Sequence, residues 1–157
     1  MTIKNIYIFA ILMLCLCGCN KQLHLLDPTG SSSMIVTVNG SQDTLSNVTG
    51  TDFIGTLEIR GQTKRYKISM DLTSWNLGEH NWLGTDVHLA TFYNDTSATG
   101  MDHVPIQNIG GYNILSIDND NRVAEGTFSF VGLNSYTNDT IKVSDGLFKV
   151  YYVAEGY

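Results

Sequence analysis

From Met34 onward, apolar residues recur at every second position in short runs separated by polar turns, and this alternation restricts the chain to β architecture. Thr56-Leu57-Glu58-Ile59-Arg60 sets Leu57 and Ile59 on one face and charge on the other, and Lys67 to Leu72 sets Ile68, Met70 and Leu72 together. Ile35-Val36-Thr37-Val38 runs into Asn39-Gly40, a turn dipeptide whose residues both tolerate positive φ. Gly61-Gln62-Thr63 reads as the next turn, Val87 to Tyr93 as a strand, and Asn94 to roughly Gln107 as a polar loop. Tyr112 to Ile117 and Val123 to Phe130, joined by Asp118-Asn119-Asp120-Asn121, form a hairpin. The last strand, Gly146 to Val153, places Phe148, Val150 and Tyr152 opposite Leu147, Lys149 and Tyr151, so Phe128, Phe130, Phe148 and Val150 are expected inside. No window carries a helical apolar stripe longer than about two turns, so the crossover helices of a parallel sheet are missing. The expected fold is one all-β domain over residues 34–157, an antiparallel sandwich or barrel.

The first nineteen residues follow a different grammar. Lys4 is a sparse positive start, Ile6 to Leu16 is apolar, and small or compact residues follow, the parts of a secretory signal. The run is too short for a membrane span, which needs about 20 apolar residues. It ends in Leu16-Cys17-Gly18-Cys19, which resembles the lipobox of bacterial lipoproteins. The resemblance implies that residues 1–18 are removed and that Cys19 becomes the acylated first residue, carrying palmitate-type chains into a membrane. Residues 19–33, with Pro28, Gly30 and Ser31-Ser32-Ser33, read as the lipidated terminus and a flexible tether. From Asn20 to Ser33 such a tether reaches about 45 Å at most.

Cysteine and charge then exclude several function classes. Cys15 and Cys17 leave with the signal and Cys19 carries lipid, so the domain has no thiol for a disulfide, a nucleophile or a zinc site. The net charge is −6 and becomes one unit more negative when Lys4 is removed. Binding to nucleic acid or an electrostatic hold on anionic lipid needs clustered Lys and Arg, so neither is expected.

Residues with chemistry are scattered. Glu79, His80 and His88 come nearest to a metal cluster, but no third His or Cys supports them, and ordinary strand positions explain them. Asp118-Asn119-Asp120-Asn121 begins like a calcium loop, yet Arg122 and Val123 stand where an oxygen ligand and the turn glycine belong, which favours a hairpin turn. No metal and no cofactor is expected. There is no Gly-x-Ser-x-Gly elbow, and the carboxylates that could pair for glycoside hydrolysis, Glu58, Asp71, Asp86 and Glu125, show no pairing in sequence, so no enzyme is expected. The aromatic residues are too many to be all core. Trp75, Trp82, Tyr112 and Tyr136 are the candidates for an exposed binding surface of the kind that glycan and peptide grooves use.

Gly126-Thr127-Phe128-Ser129-Phe130, followed by Ile141 to Tyr152 with Gly146-Leu147-Phe148-Lys149-Val150-Tyr151, resembles a family of Bacteroidetes-type lipoproteins whose domains of unknown function end in Gly-Thr-Phe-x-Phe and Gly-x-Phe-x-Val-x-Tyr strands. Val38-Asn39-Gly40 and Leu115-Ser116-Ile117 fit the same pattern, whereas Gly78-Glu79-His80 departs from it. The resemblance implies an all-β extracytoplasmic domain and carries no activity. In such proteins Asp-Thr followed by a hydrophobic residue accepts O-linked glycans, which marks Thr44 and Thr140 as candidates. No acidic residue precedes Asp27 in the tether and no Asp follows Cys19 directly. Within this class that implies an outer-membrane anchor on the periplasmic face. The reading is therefore a lipid-anchored, non-catalytic binding or structural module of the cell envelope with a glycan or protein partner. A lipocalin-like carrier of a small apolar ligand is the first alternative and a glycan-active enzyme the second.

Overall fold

A computed structural model describes residues 30–73, 75–82, 90–94 and 102–154. Nine strands appear among them: β1 (Ser33–Val38), β2 (Ser41–Phe53), β3 (Thr56–Gln62), β4 (Tyr66–Leu72), β5 (Gly78–Asn81), β6 (Ala90–Asn94), β7 (Asp102–Asp118), β8 (Val123–Leu133) and β9 (Thr140–Ala154). Eight of them close into a barrel in the order β7-β6-β4-β3-β2-β1-β9-β8, with β8 returning to β7, and β5 adds to the free side of β7. Every pairing is antiparallel except a short parallel contact of Gly50–Asp52 with Tyr152–Ala154, made where β1 ends and β2 meets β9 directly. Of the two expected all-β architectures the chain adopts the barrel, which leaves no long sheet edge to aggregate.

The β8–β9 ladder explains why two Gly-x-Phe segments recur. Gly126 pairs with Phe148 and Phe128 pairs with Gly146, so each ring lies across the other strand's glycine. A Cβ at Gly126 would come within 2.6 Å of the Phe148 ring, and one at Gly146 within 2.6 Å of the Phe128 ring. Only glycine leaves that space. Phe128, Phe130, Phe148 and Val150 all face inward as expected, joining Met34, Ile59, Ile68 and Met70 in one continuous core.

Two tight hairpins hold neighbouring strands in register. Asn39-Gly40 turns with positive φ at both residues, and Asn39 anchors the turn to β9 through the Lys142 amide, which donates to Asn39 Oδ1 at 2.9 Å. Ile54-Gly55 makes a second turn of the same kind. At the hairpin that joins β7 and β8, Asp118 accepts from the Asn121 amide at 2.9 Å and from its side chain at 2.7 Å. These bonds lower the Asp118 pKa and make the segment a hairpin turn.

Several boundaries differ from expectation for identifiable reasons. β2 was not foreseen because Leu45 and Gly50 are its only buried positions, too few to show alternation. Gly61 and Gln62 still belong to β3, and the turn is Thr63 to Arg65, where Thr63 Oγ1 accepts from the Arg65 and Tyr66 amides. Residues 102–107, expected in a loop, open β7. Pro105 lacks the amide that marks a strand, and a register shift between Pro105 and Gly110 breaks the period. The start of β9 was hidden by a bulge at Ser144-Asp145. Val87, His88 and Asp86 lie outside the described residues, as do Cys19 and the tether before Gly30.

Replacing Phe148 or Phe130 with Ala should cost about 3–5 kcal/mol through cavity formation. Gly146→Ala should cost about 1–3 kcal/mol by forcing aside both the Phe128 ring and the Phe128 carbonyl of the paired strand. Lys149→Ala, which removes an outer-face pair with Glu125 at 3.0 Å, should cost about 1 kcal/mol or less. Urea denaturation of the three classes of variant measures this ranking.

Candidate functional site

A closed barrel can bind a ligand inside or on its wall. Here the interior is occupied by side chains: Trp82, Phe130, Phe148, Met34, Leu57 and Met70 are all essentially inaccessible. Trp82 lies against Tyr112 with ring centroids 5.0 Å apart, and its indole N–H donates to the Ser129 carbonyl at 2.6 Å, so its single polar group is satisfied within the protein.

A concavity of about 590 Å³ lies on the wall, across β5, β7, β8 and β9. Its floor is built from small residues, Gly111, Thr127 and Ser129, because two strands crowd in on β7 from either side. A Cβ at Gly111 would fall 2.3 Å from the His80 carbonyl. Its margins carry Glu79, Asn81, Asn113 and Asp145. Asp145 reaches the rim because the β9 bulge puts it at φ +51°, where its carboxylate accepts from the Ser144 hydroxyl at 3.0 Å. The groove thus offers amides, hydroxyls and two carboxylates, and no Lys or Arg lines it among the described residues. Such a surface suits uncharged, hydroxyl- or amide-rich ligands and repels phosphate.

The predicted aromatic surface does not assemble. Trp82 and Tyr112 are core residues, a correction whose reason is the indole hydrogen bond and the shared ring packing inside the wall. Trp75 stands at one end of the barrel against Tyr152, 5.1 Å between centroids, and Tyr136 is 89% exposed on the turn at the other end. The groove was missed because its floor is glycine and small polar residues, which read in sequence as strand filler.

Of the candidate metal residues, Glu79 lines the groove, while His80 stacks on Tyr112 at 4.8 Å and its Nε2 lies 2.9 Å from the Asn76 carbonyl. Among the described residues no cluster of three His, Cys, Asp or Glu side chains could hold a metal. Glu58 and Asp71 are directly paired across β3 and β4, and both line a smaller outer groove of about 230 Å³ with Thr91 and Tyr93. Glu58 is held there by Arg60, and Glu125 pairs with Lys149 elsewhere on the wall.

Thr44 and Thr140 are both exposed, each followed by an inward residue, Leu45 and Ile141. Beside Thr44, the Asp43 carboxylate accepts from the Tyr66 hydroxyl at 2.8 Å and pairs with Arg65 at 3.0 Å, closing one barrel mouth. Burial, and then the Asp43 carboxylate, push the Tyr66 pKa up.

The sequence pattern of the family described as Domain of unknown function (DUF6252) matches residues 36–151. No curated protein and no solved structure matches the chain.

Because the Tyr66 pKa is raised on folding, its contribution to stability is complete below the unfolded value of about 10 and is lost as pH rises above it. Tyr66→Phe should flatten the alkaline limb of the stability curve. Denaturant midpoints of both proteins across that range read this out directly.

Proposed function

Since the chain belongs to the DUF6252 family, whose description assigns no activity, we propose a function from its own geometry: a lipid-anchored, non-catalytic binding module of the cell envelope that holds a glycan in the β5-β7-β8-β9 groove. The observation that carries this reading is the combination of a side-chain-filled barrel with an open polar wall groove. A ligand must bind outside, and an open channel admits a polymer that continues past both ends. Hydroxyls of a sugar chain match Glu79, Asn81, Asn113 and Asp145, whereas a protein partner would want an exposed apolar or aromatic anchor, and the aliphatic side chain on the lining, Leu147, is half-buried.

The anchor is Cys19 in the outer membrane, with the domain on the periplasmic side. The exposed Thr44 and Thr140 hydroxyls are accessible to an extracytoplasmic glycosyl transfer. The carrier alternative shares the closed barrel, but an apolar ligand inside would have to displace Phe and Met side chains from a continuous core. The enzyme alternative rests on Glu58 and Asp71, which face each other on an open wall rather than in a cleft that excludes water.

Sedimentation with purified peptidoglycan sacculi, and titration with soluble chito-oligosaccharides, test the groove. Wild-type protein should bind, and Thr127→Trp, which fills the floor without touching the core, should lose about tenfold or more in affinity, as expected when a binding surface is blocked. No binding by the wild type, or equal binding by the variant, refutes the glycan reading. Cys19→Ser should release the protein from the membrane fraction or leave it unprocessed, while a cleaved product that still partitions with membranes refutes the anchor.

A further inference from the structure

The two ends of the barrel differ in character. At the end formed by the Asn39-Gly40, Thr63–Arg65 and Asn134–Asp139 turns, the exposed side chains of the described residues are polar or charged apart from Tyr136. At the opposite end Phe53, Ile54 and Val153 are 54%, 68% and 61% exposed. They form one patch. Thr51 pairs with Val153, and alternation puts Phe53 on the same outer face two residues further along β2, with Ile54 at the hairpin tip. Leu77, on the segment after β4, is exposed at the same end.

Ile54 is costly there twice over. It sits at φ +50°, a conformation that a β-branched side chain strongly disfavours. The other positive-φ positions among the described non-glycine residues are Asn39, Asn47, Asn108, Asn138, Asp145 and Arg122, none of them β-branched. Asn or Gly would relieve both the strain and the exposure, so the apolar tip needs something to meet.

The course of the chain says what that is. β1 is squeezed out of the wall where β2 and β9 converge, and the residues before it run over the outer face of β9: the Tyr151 amide donates to Ser32 Oγ at 3.0 Å, and Gly30 lies beside the Tyr151 ring. Val153 is the next outward residue on that strand. The chain therefore enters the barrel beside the apolar patch. The twelve residues from Cys19 to Gly30, eleven steps of chain, reach about 40 Å at most, so the anchoring membrane is always near.

We infer that this end of the barrel lies against the bilayer that holds the Cys19 acyl chains, with Phe53, Ile54 and Val153 entering its interfacial region. The inference rests on the lipoprotein reading above. Asp52 beside the hairpin tip and Asp118 and Asp120 in the β7–β8 turn lie at this end with Arg122, a net negative set among the described residues, so contact is made through apolar burial with zwitterionic lipid and not through charge. Seating this end on the lipid leaves the groove on the barrel wall open to the aqueous space.

The mature acylated protein in phosphatidylcholine vesicles tests this, with a fluorophore on a thiol introduced by Ile54→Cys or, at the far end, Tyr136→Cys. The label at position 54 should be quenched by spin-labelled lipid, and about threefold less than the label at 136 by aqueous iodide, at low and high salt alike. Equal iodide quenching at the two positions in an acylated protein overturns the orientation and leaves the anchor standing. A mature chain whose mass shows no acyl groups refutes the anchor and this inference with it. Ile54→Asn supplies an independent reading: it should melt no lower than wild type yet expose a label at position 53 about threefold more to iodide, because the tip no longer inserts. Unchanged protection at 53 overturns the role of the tip.

Discussion

The pairing of Gly126 with Phe148 and of Phe128 with Gly146 is the contact on which the barrel depends. A phenyl ring laid over a glycine leaves no freedom for a two-residue slip, since a slip in one direction would set Phe128 against Phe148 and a slip in the other would set Gly126 against Gly146. With β8 and β9 locked, β9 presents its other edge to β1 and β8 presents its other edge to β7, and these two ladders complete the closure. The same rings then supply much of the interior volume, together with Phe130 and Trp82. One short motif therefore sets both register and packing.

Filling the barrel has a consequence for function. Small barrels either hold side chains or hold a ligand, and this one holds side chains. The concavity lies on the wall, where bulges and glycines shape the surface. The β9 bulge turns Asp145 outward, and Gly111 lets β5 approach β7 closely. The two ends differ in character: one is polar and carries the Asp43, Arg65 and Tyr66 contacts, the other is apolar and adjacent to the entering chain.

Where the chain alternates, its structure was legible. The hairpin of Tyr112 to Phe130, the inward faces of Phe128, Phe130, Phe148 and Val150, and the Asn39-Gly40 turn follow from period and turn chemistry alone. β2 was not legible, because a strand with polar residues on both sides for much of its length has no amphipathic signature, and its pairing is imposed by its neighbours. The starts of β7 and β9 were obscured by their bulges, since one inserted residue reverses the apparent face of everything that follows. Trp82 and Tyr112 illustrate a different limit. An aromatic residue with a polar tip serves equally well on a surface or in a core, and only the position of the Ser129 carbonyl makes Trp82 an interior residue.

The sequence by itself determined that the domain is all-β, that its core is built without any cysteine, and which faces of its strongest strands turn inward, because these depend on composition and on the two-residue repeat of a single strand. Closure into a barrel, the filling of its interior, the wall groove and the gathering of Phe53, Ile54 and Val153 beside the entering chain were decided only by tertiary structure. Each of these joins residues from strands far apart in sequence, and the order in which strands pair is a property of the whole set of ladders that no single segment encodes.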